Sequence, residues 1–98
     1  MMNKMIAAAL FCLSATAVAA EPPPKYQTSC FACHSTGAAG APMTGDVDAW
    51  AMRLEGGMDA MVESVKNGLN GMPPKGLCMD CTDDEYKAMI EYMAAPAE

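Results

Sequence analysis

The chain has 98 residues, a formal net charge of −6 and a hydrophobic content of 52%, with five cysteines, eleven methionines and one histidine. So short a chain forms one domain at most and buries too little apolar surface to be stable without a staple such as a disulfide, a metal or a bound group. The acidic balance argues against nucleic acid and anionic membrane surfaces as partners, leaving solubility or docking to a basic protein patch as its use.

Residues 1–20 read as a secretory signal: Asn3 and Lys4 make a short positive start, residues 5–18 are an uncharged apolar run, and Val18-Ala19-Ala20 offers small residues for cleavage before Glu21. The run is short for a bilayer span and lacks a stop-transfer flank. Export to the periplasm is expected, with cleavage after about Ala20 and no stable membrane insertion afterwards. Cys12 leaves with the signal, and Lys4 is the only charge removed, so the remainder is more acidic than the whole.

Residues 21–25 form a proline-rich leader and residues 26–96 the domain. Residues 26–33 are compatible with a first helix, which delivers Cys30-Phe31-Ala32-Cys33-His34. Two thiols three apart with a histidine next is the pattern for covalent haem c attachment. On a helical turn positions i and i+3 face one way, so both sulfurs reach the two vinyl groups of one porphyrin and the imidazole reaches its iron. A thioredoxin-like redox pair and half of a zinc site are the other readings of these residues.

Residues 35–46 are rich in Gly, Ala, Pro and Thr and should be a loop. Within it Pro42 can present its carbonyl to the ring N–H of His34, a common way of orienting a ligating imidazole. Residues 46–54 predict a helix with Val47, Trp50 and Leu54 on one stripe, stopped by Gly56-Gly57. Trp50 either packs or donates its indole N–H to a haem propionate, with Arg53 as a charge partner. Residues 58–66 form another apolar stripe through Met58, Met61, Val62 and Val65, ended by Asn67-Gly68.

Residues 69–81 hold two glycines, two prolines and two cysteines, a loop with defined corners. Thr82-Asp83-Asp84-Glu85 is a capping box, and Tyr86, Met89, Ile90 and Met93 form the apolar face of a last helix that should pack on the first, until Pro96. No strand pattern or repeat appears, so the expected fold class is all-α.

If His34 takes one face of the iron, the other is either open or closed by a second protein ligand. No second histidine exists, so the candidate is a methionine. Met58, Met61, Met89 and Met93 sit at stripe positions, Met52 is on a helix, Met79 lies between two cysteines, and Met43 is close to His34 in sequence. Met72 remains, held extended by Pro73 in Asn70-Gly71-Met72-Pro73-Pro74. Cys78-Met79-Asp80-Cys81 is followed by Thr82 rather than histidine and should not bind a second haem. In an oxidising compartment it reads as a short-loop disulfide, alongside a dithiol oxidoreductase pair or, with Cys30 and Cys33, a four-cysteine zinc structural module whose spacing is far too wide for a zinc ribbon.

Together the run from Cys30 to His34, Gly40-Ala41-Pro42, Gly45-Asp46, Trp50, Arg53, Leu54, Gly57-Met58-Asp59, Asn67-Gly68-Leu69-Asn70, Met72-Pro73-Pro74-Lys75-Gly76, Cys78-Met79-Asp80-Cys81 and Glu91-Tyr92-Met93 resembles the cytochrome c5-type class I c-type cytochromes. The likeness spans residues 25–95, and Met43 and Met52 depart from the family pattern without displacing a motif. It implies a small class I cytochrome c fold wrapped around one covalently attached haem c, thioethers at Cys30 and Cys33, His34 and Met72 as axial ligands, and a disulfide between Cys78 and Cys81. It further implies Pro42 as the acceptor for His34 and Trp50 and Arg53 as residues at the haem edge. The implied function is that of a periplasmic one-electron carrier, not an enzyme. Its implied redox partners are a quinol-oxidising cytochrome reductase complex and a terminal oxidase or reductase. A haem enzyme or gas sensor with a displaceable sixth ligand is the alternative.

Overall fold

Four α-helices, α1 (Phe31–His34), α2 (Val47–Leu54), α3 (Met58–Asn67) and α4 (Asp83–Ala94), alternate with loops that contain two short 3-10 turns, Ala38–Gly40 and Pro74–Leu77. The structure is a computed structural model that describes residues 21–97, so the expected export signal at 1–20 lies outside the described residues. Among the described residues there is no strand, only an isolated bridge between Leu69 and Met72. The all-α class expected from the sequence is the one observed.

Helices α2 and α4 begin where side chains satisfy their free N–H groups. At α2 the Asp46 carboxylate accepts from the Ala49 N–H at 3.3 Å. At α4 the Thr82 hydroxyl accepts from the Glu85 N–H at 3.2 Å, and the Glu85 carboxylate accepts from the Thr82 N–H at 3.0 Å, completing the expected capping box. That backbone N–H, followed by the Lys25 ammonium, holds the Glu85 carboxyl below the usual carboxylate range. Lys25 Nζ lies 2.9 Å from Glu85 and 3.6 Å from Asp80, joining the leader to the start of α4.

The first helix is shorter than the expected 26–33, because α1 has only Phe31–His34. The preceding residues form turns in which the Tyr26 carbonyl accepts from both Ser29 and Phe31 N–H groups, at 3.2 and 3.1 Å. The physical reason lies in Thr28 and Ser29, whose hydroxyls both donate to the Lys25 carbonyl. They thereby occupy an acceptor that a regular helix would give to the Ser29 N–H.

Tyr26, Trp50, Val62, Tyr86, Met89, Ile90 and Met93 make the buried core, four of them from the expected face of α4. The contact expected between the last and first helices is made instead by the turn before α1. There the Tyr26 ring meets Tyr92 edge-on at 4.9 Å, and Cys30 Sγ lies 3.7 Å from Met89 Sδ. Val47 departs from the expected stripe and is 43% exposed, since α2 reaches the core only at Trp50 and Leu54, further along the helix. Cys78 and Cys81 are joined by a disulfide, and the buried Tyr86 hydroxyl donates to the Cys78 carbonyl at 2.7 Å.

Tyr86→Phe strands that carbonyl and should cost about 1–3 kcal/mol in urea unfolding, and Thr82→Ala about 1 kcal/mol. Glu85, whose folded pKa is lowered, stabilises fully above the pKa of an unfolded carboxylate, and its contribution is lost as pH falls through the folded value. Glu85→Gln should therefore lower stability at neutral pH and flatten the acid loss below the ordinary value of 4.5.

Candidate functional site

A cavity of about 300 Å³ lies against the core, and Cys30, Cys33, His34 and Met72 all line it. Around them Trp50 comes from α2, Met61 and Val65 from α3, and Tyr86, Met89, Ile90 and Met93 from α4. The wall is thus mostly hydrocarbon and thioether, the lining that excludes water from a bound flat group.

His34 is buried at the end of α1, and its Nδ1 lies 2.7 Å from the Pro42 carbonyl. A carbonyl only accepts, so Nδ1 bears the proton and Nε2 is left with the lone pair on a ring that faces the cavity. The His34 backbone is held as well, its carbonyl accepting from the Thr44 N–H at 2.7 Å.

Cys30 and Cys33 are free thiols, although they have the same spacing as the bonded pair Cys78 and Cys81. Burial pushes the Cys30 thiol up, with the Ser29 hydroxyl acting in the opposite direction, so it stays protonated at neutral pH. Two unpaired thiols, a lone-pair imidazole nitrogen and an apolar wall around one cavity fit the donor set of a thioether-linked haem. The zinc alternative finds no support: among the described residues the one cluster of metal-ligating type is Cys78, Asp80 and Cys81, which excludes Cys30 and Cys33.

Met61, Met72, Met89 and Met93 all present themselves to the cavity, but they are held differently. Three lie on helices, and the Met89 side chain is fully buried with its sulfur packed 3.7 Å from Cys30 Sγ. Met72 lies on a loop whose backbone is pinned, its N–H donating to the Leu69 carbonyl at 2.9 Å and its carbonyl accepting from the Leu69 N–H at 3.1 Å. Gly71 beside it makes room for the opposite loop. A Cβ there would come within 2.8 Å of the Ala39 Cβ.

Trp50 and Arg53 both line the cavity, and of the two roles open to Trp50 the structure shows packing, with its N–H bonded within the protein. The Trp50 N–H is donated to the Met43 carbonyl at 2.9 Å, because the loop after Pro42 runs directly over the indole. Arg53 is exposed and donates to the Ala49 carbonyl at 2.8 Å, and among the described residues it has no carboxylate partner. Sequence reasoning missed Tyr26, Ser29 and Thr44. Tyr26 and Ser29 are 3% and 2% exposed, and the Tyr26 and Thr44 hydroxyls are bonded at 2.7 Å. Their only signal was nearness in sequence to Cys30 and His34.

Residues 17–93 match the protein family described as Cytochrome C oxidase, cbb3-type, subunit III. Cytochrome c5 of Azotobacter vinelandii is 51% identical over 67 residues, covering 66% of this chain and 81% of that protein. Cytochrome c5 of Ectopseudomonas mendocina is 46% identical, covering 66% and 77%. Among solved structures, a mono-heme ferrocytochrome c from Shewanella putrefaciens superposes with a TM-score of 0.68 at 46% identity, covering 82% of this chain and all of that one. A chain from an electron transfer complex of nitrite reductase with cytochrome c superposes with a TM-score of 0.64 at 35% identity, covering 76% and 95%.

Gly71→Val should push the two loops apart, costing about 1–3 kcal/mol in urea unfolding and lowering the ratio of haem to protein in purified material. Gly71→Ala should do the same to a smaller degree.

Proposed function

The chain belongs to the cytochrome c5-type class I c-type cytochromes, small electron carriers with one covalently bound haem c, and from this premise we propose that it works in the periplasm with iron held between His34 and Met72. The observation that carries this reading is the gathering of both residues, with the free Cys30 and Cys33 thiols, around one apolar cavity. Bound haem supplies a one-electron iron couple.

Each residue then has a definite task. Cys30 and Cys33 anchor the group through thioethers. His34 offers Nε2 to the metal, and the Pro42 carbonyl fixes its tautomer and strengthens it as a donor. Met72 would offer a soft thioether as the second protein ligand, which favours the reduced metal relative to a second histidine. The hydrocarbon wall from α3 and α4 keeps water out. Arg53, exposed where it lines the cavity and without a carboxylate partner among the described residues, would place a cation beside a haem propionate.

A cavity closed by protein ligands has no place for a substrate, which supports a carrier rather than an enzyme. Leu69 and Leu77, 54% and 48% exposed, both line the cavity and supply apolar surface for short-lived docking. The net charge of −6 favours partners with a basic patch. A quinol-oxidising cytochrome complex as donor and a terminal oxidase or reductase as acceptor fit that role, and a related cytochrome c is found in an electron transfer complex with nitrite reductase.

Met72→Ala tests the ligand set. The variant should have a lower reduction potential and, in the ferrous state, bind carbon monoxide rapidly, while the unsubstituted protein should not. An optical spectrum unchanged by the substitution would contradict the assignment.

A further inference from the structure

The geometry points to Trp50 and Tyr26 as positioning residues for the His34 ring, acting through the strap Pro42-Met43-Thr44. This inference rests on His34 being the iron ligand, as proposed above. The strap grips His34 twice: the Pro42 carbonyl accepts from Nδ1 at 2.7 Å, and the Thr44 N–H donates to the His34 carbonyl at 2.7 Å. It is itself held from outside. The Trp50 indole N–H donates to the Met43 carbonyl at 2.9 Å, and the Tyr26 and Thr44 hydroxyls are bonded at 2.7 Å. Gly45, next along the chain, donates its N–H to the Met93 carbonyl of α4 at 2.8 Å.

Trp50 and Tyr26 are each 3% exposed, and each directs its single polar group at the strap. The indole also lies beside the imidazole, with ring centroids 5.3 Å apart and planes inclined by 35°. The Met43 carbonyl and the Thr44 N–H belong to one peptide group, so Trp50 and the His34 carbonyl fix the plane that follows Met43 and limit the directions open to the Pro42 carbonyl just before it. The angle of the hydrogen bond to Nδ1 is thereby restricted, and the indole blocks rotation of the ring away from it. Since that bond strengthens imidazole as a donor to metal, a loosened strap makes His34 a weaker donor and raises the reduction potential. Packing alone would not need the Tyr26 hydroxyl, because phenylalanine fills the same space as the tyrosine ring.

The test uses holoprotein with Trp50→Phe and, separately, Tyr26→Phe. In the ferrous state, NMR follows exchange of the His34 Nδ1 proton into deuterated water, alongside the reduction potential. Each variant should exchange that proton about tenfold faster, the factor expected for loss of one hydrogen bond, and shift the potential upward with helix content unchanged. Tyr26 does not line the cavity, so its variant answers the question even where Trp50→Phe fails to retain haem. Folded holoprotein variants with unchanged exchange and potential would overturn the positioning role while leaving His34 as ligand. Absence of ring-current-shifted His34 signals in the unsubstituted holoprotein would overturn the ligand reading, and the positioning role with it.

Discussion

In a protein of this size the volume that would ordinarily be solid core is a cavity of about 300 Å³, and everything else is arranged around its wall. Side chains that face it take their packing partners from the bound haem rather than from one another. Trp50, Tyr86, Met89, Ile90 and Met93 are at once core residues and cavity lining. The fold is therefore built to be completed by what it binds, and binding energy is folding energy here in the same sense as for a structural metal. Covalent attachment of the haem makes that completion permanent, which suits a chain with so little apolar surface of its own.

The wall is made of rigid and adaptable parts. Helices α3 and α4 supply hydrocarbon at fixed positions, while two loops supply the chemistry. The loops are where the backbone is forced: among the described residues, Ala39, Asn70, Lys75 and Leu77 are the non-glycine residues at positive φ, and all four lie in loop segments beside the cavity. Such conformations persist only where surrounding contacts over-determine them. The contact between Gly71 and Ala39 and the paired backbone of Leu69 and Met72 supply that constraint. The disulfide between Cys78 and Cys81 and the Tyr86 hydroxyl then tie the end of the second loop to α4.

What could be read from the residues follows the range of the interactions concerned. Helices α2, α3 and α4 were visible because their signals are local: Thr82 as a cap, glycines as stops, and apolar residues at helical spacing. The Cys30-to-His34 motif and Pro42 were visible because they are close in sequence. The short α1 was not, because Thr28 and Ser29 turn their hydroxyls back on the Lys25 carbonyl, a competition that residue spacing does not reveal. Nor was the partner of the Trp50 indole, which depends on where a glycine-rich loop crosses α2. Val47 shows the same limit: its spacing matches the stripe, but the angle of the helix to the core leaves it exposed.

The central claim is that one haem is covalently joined to Cys30 and Cys33 inside this cavity. The most direct measurement is the intact mass of the exported protein under denaturing conditions, with and without alkylation of free thiols. The account predicts the mature polypeptide plus one haem, no thiol open to alkylation before reduction, and only Cys78 and Cys81 open to it afterwards. A haem-free mass with Cys30 and Cys33 readily alkylated would contradict it.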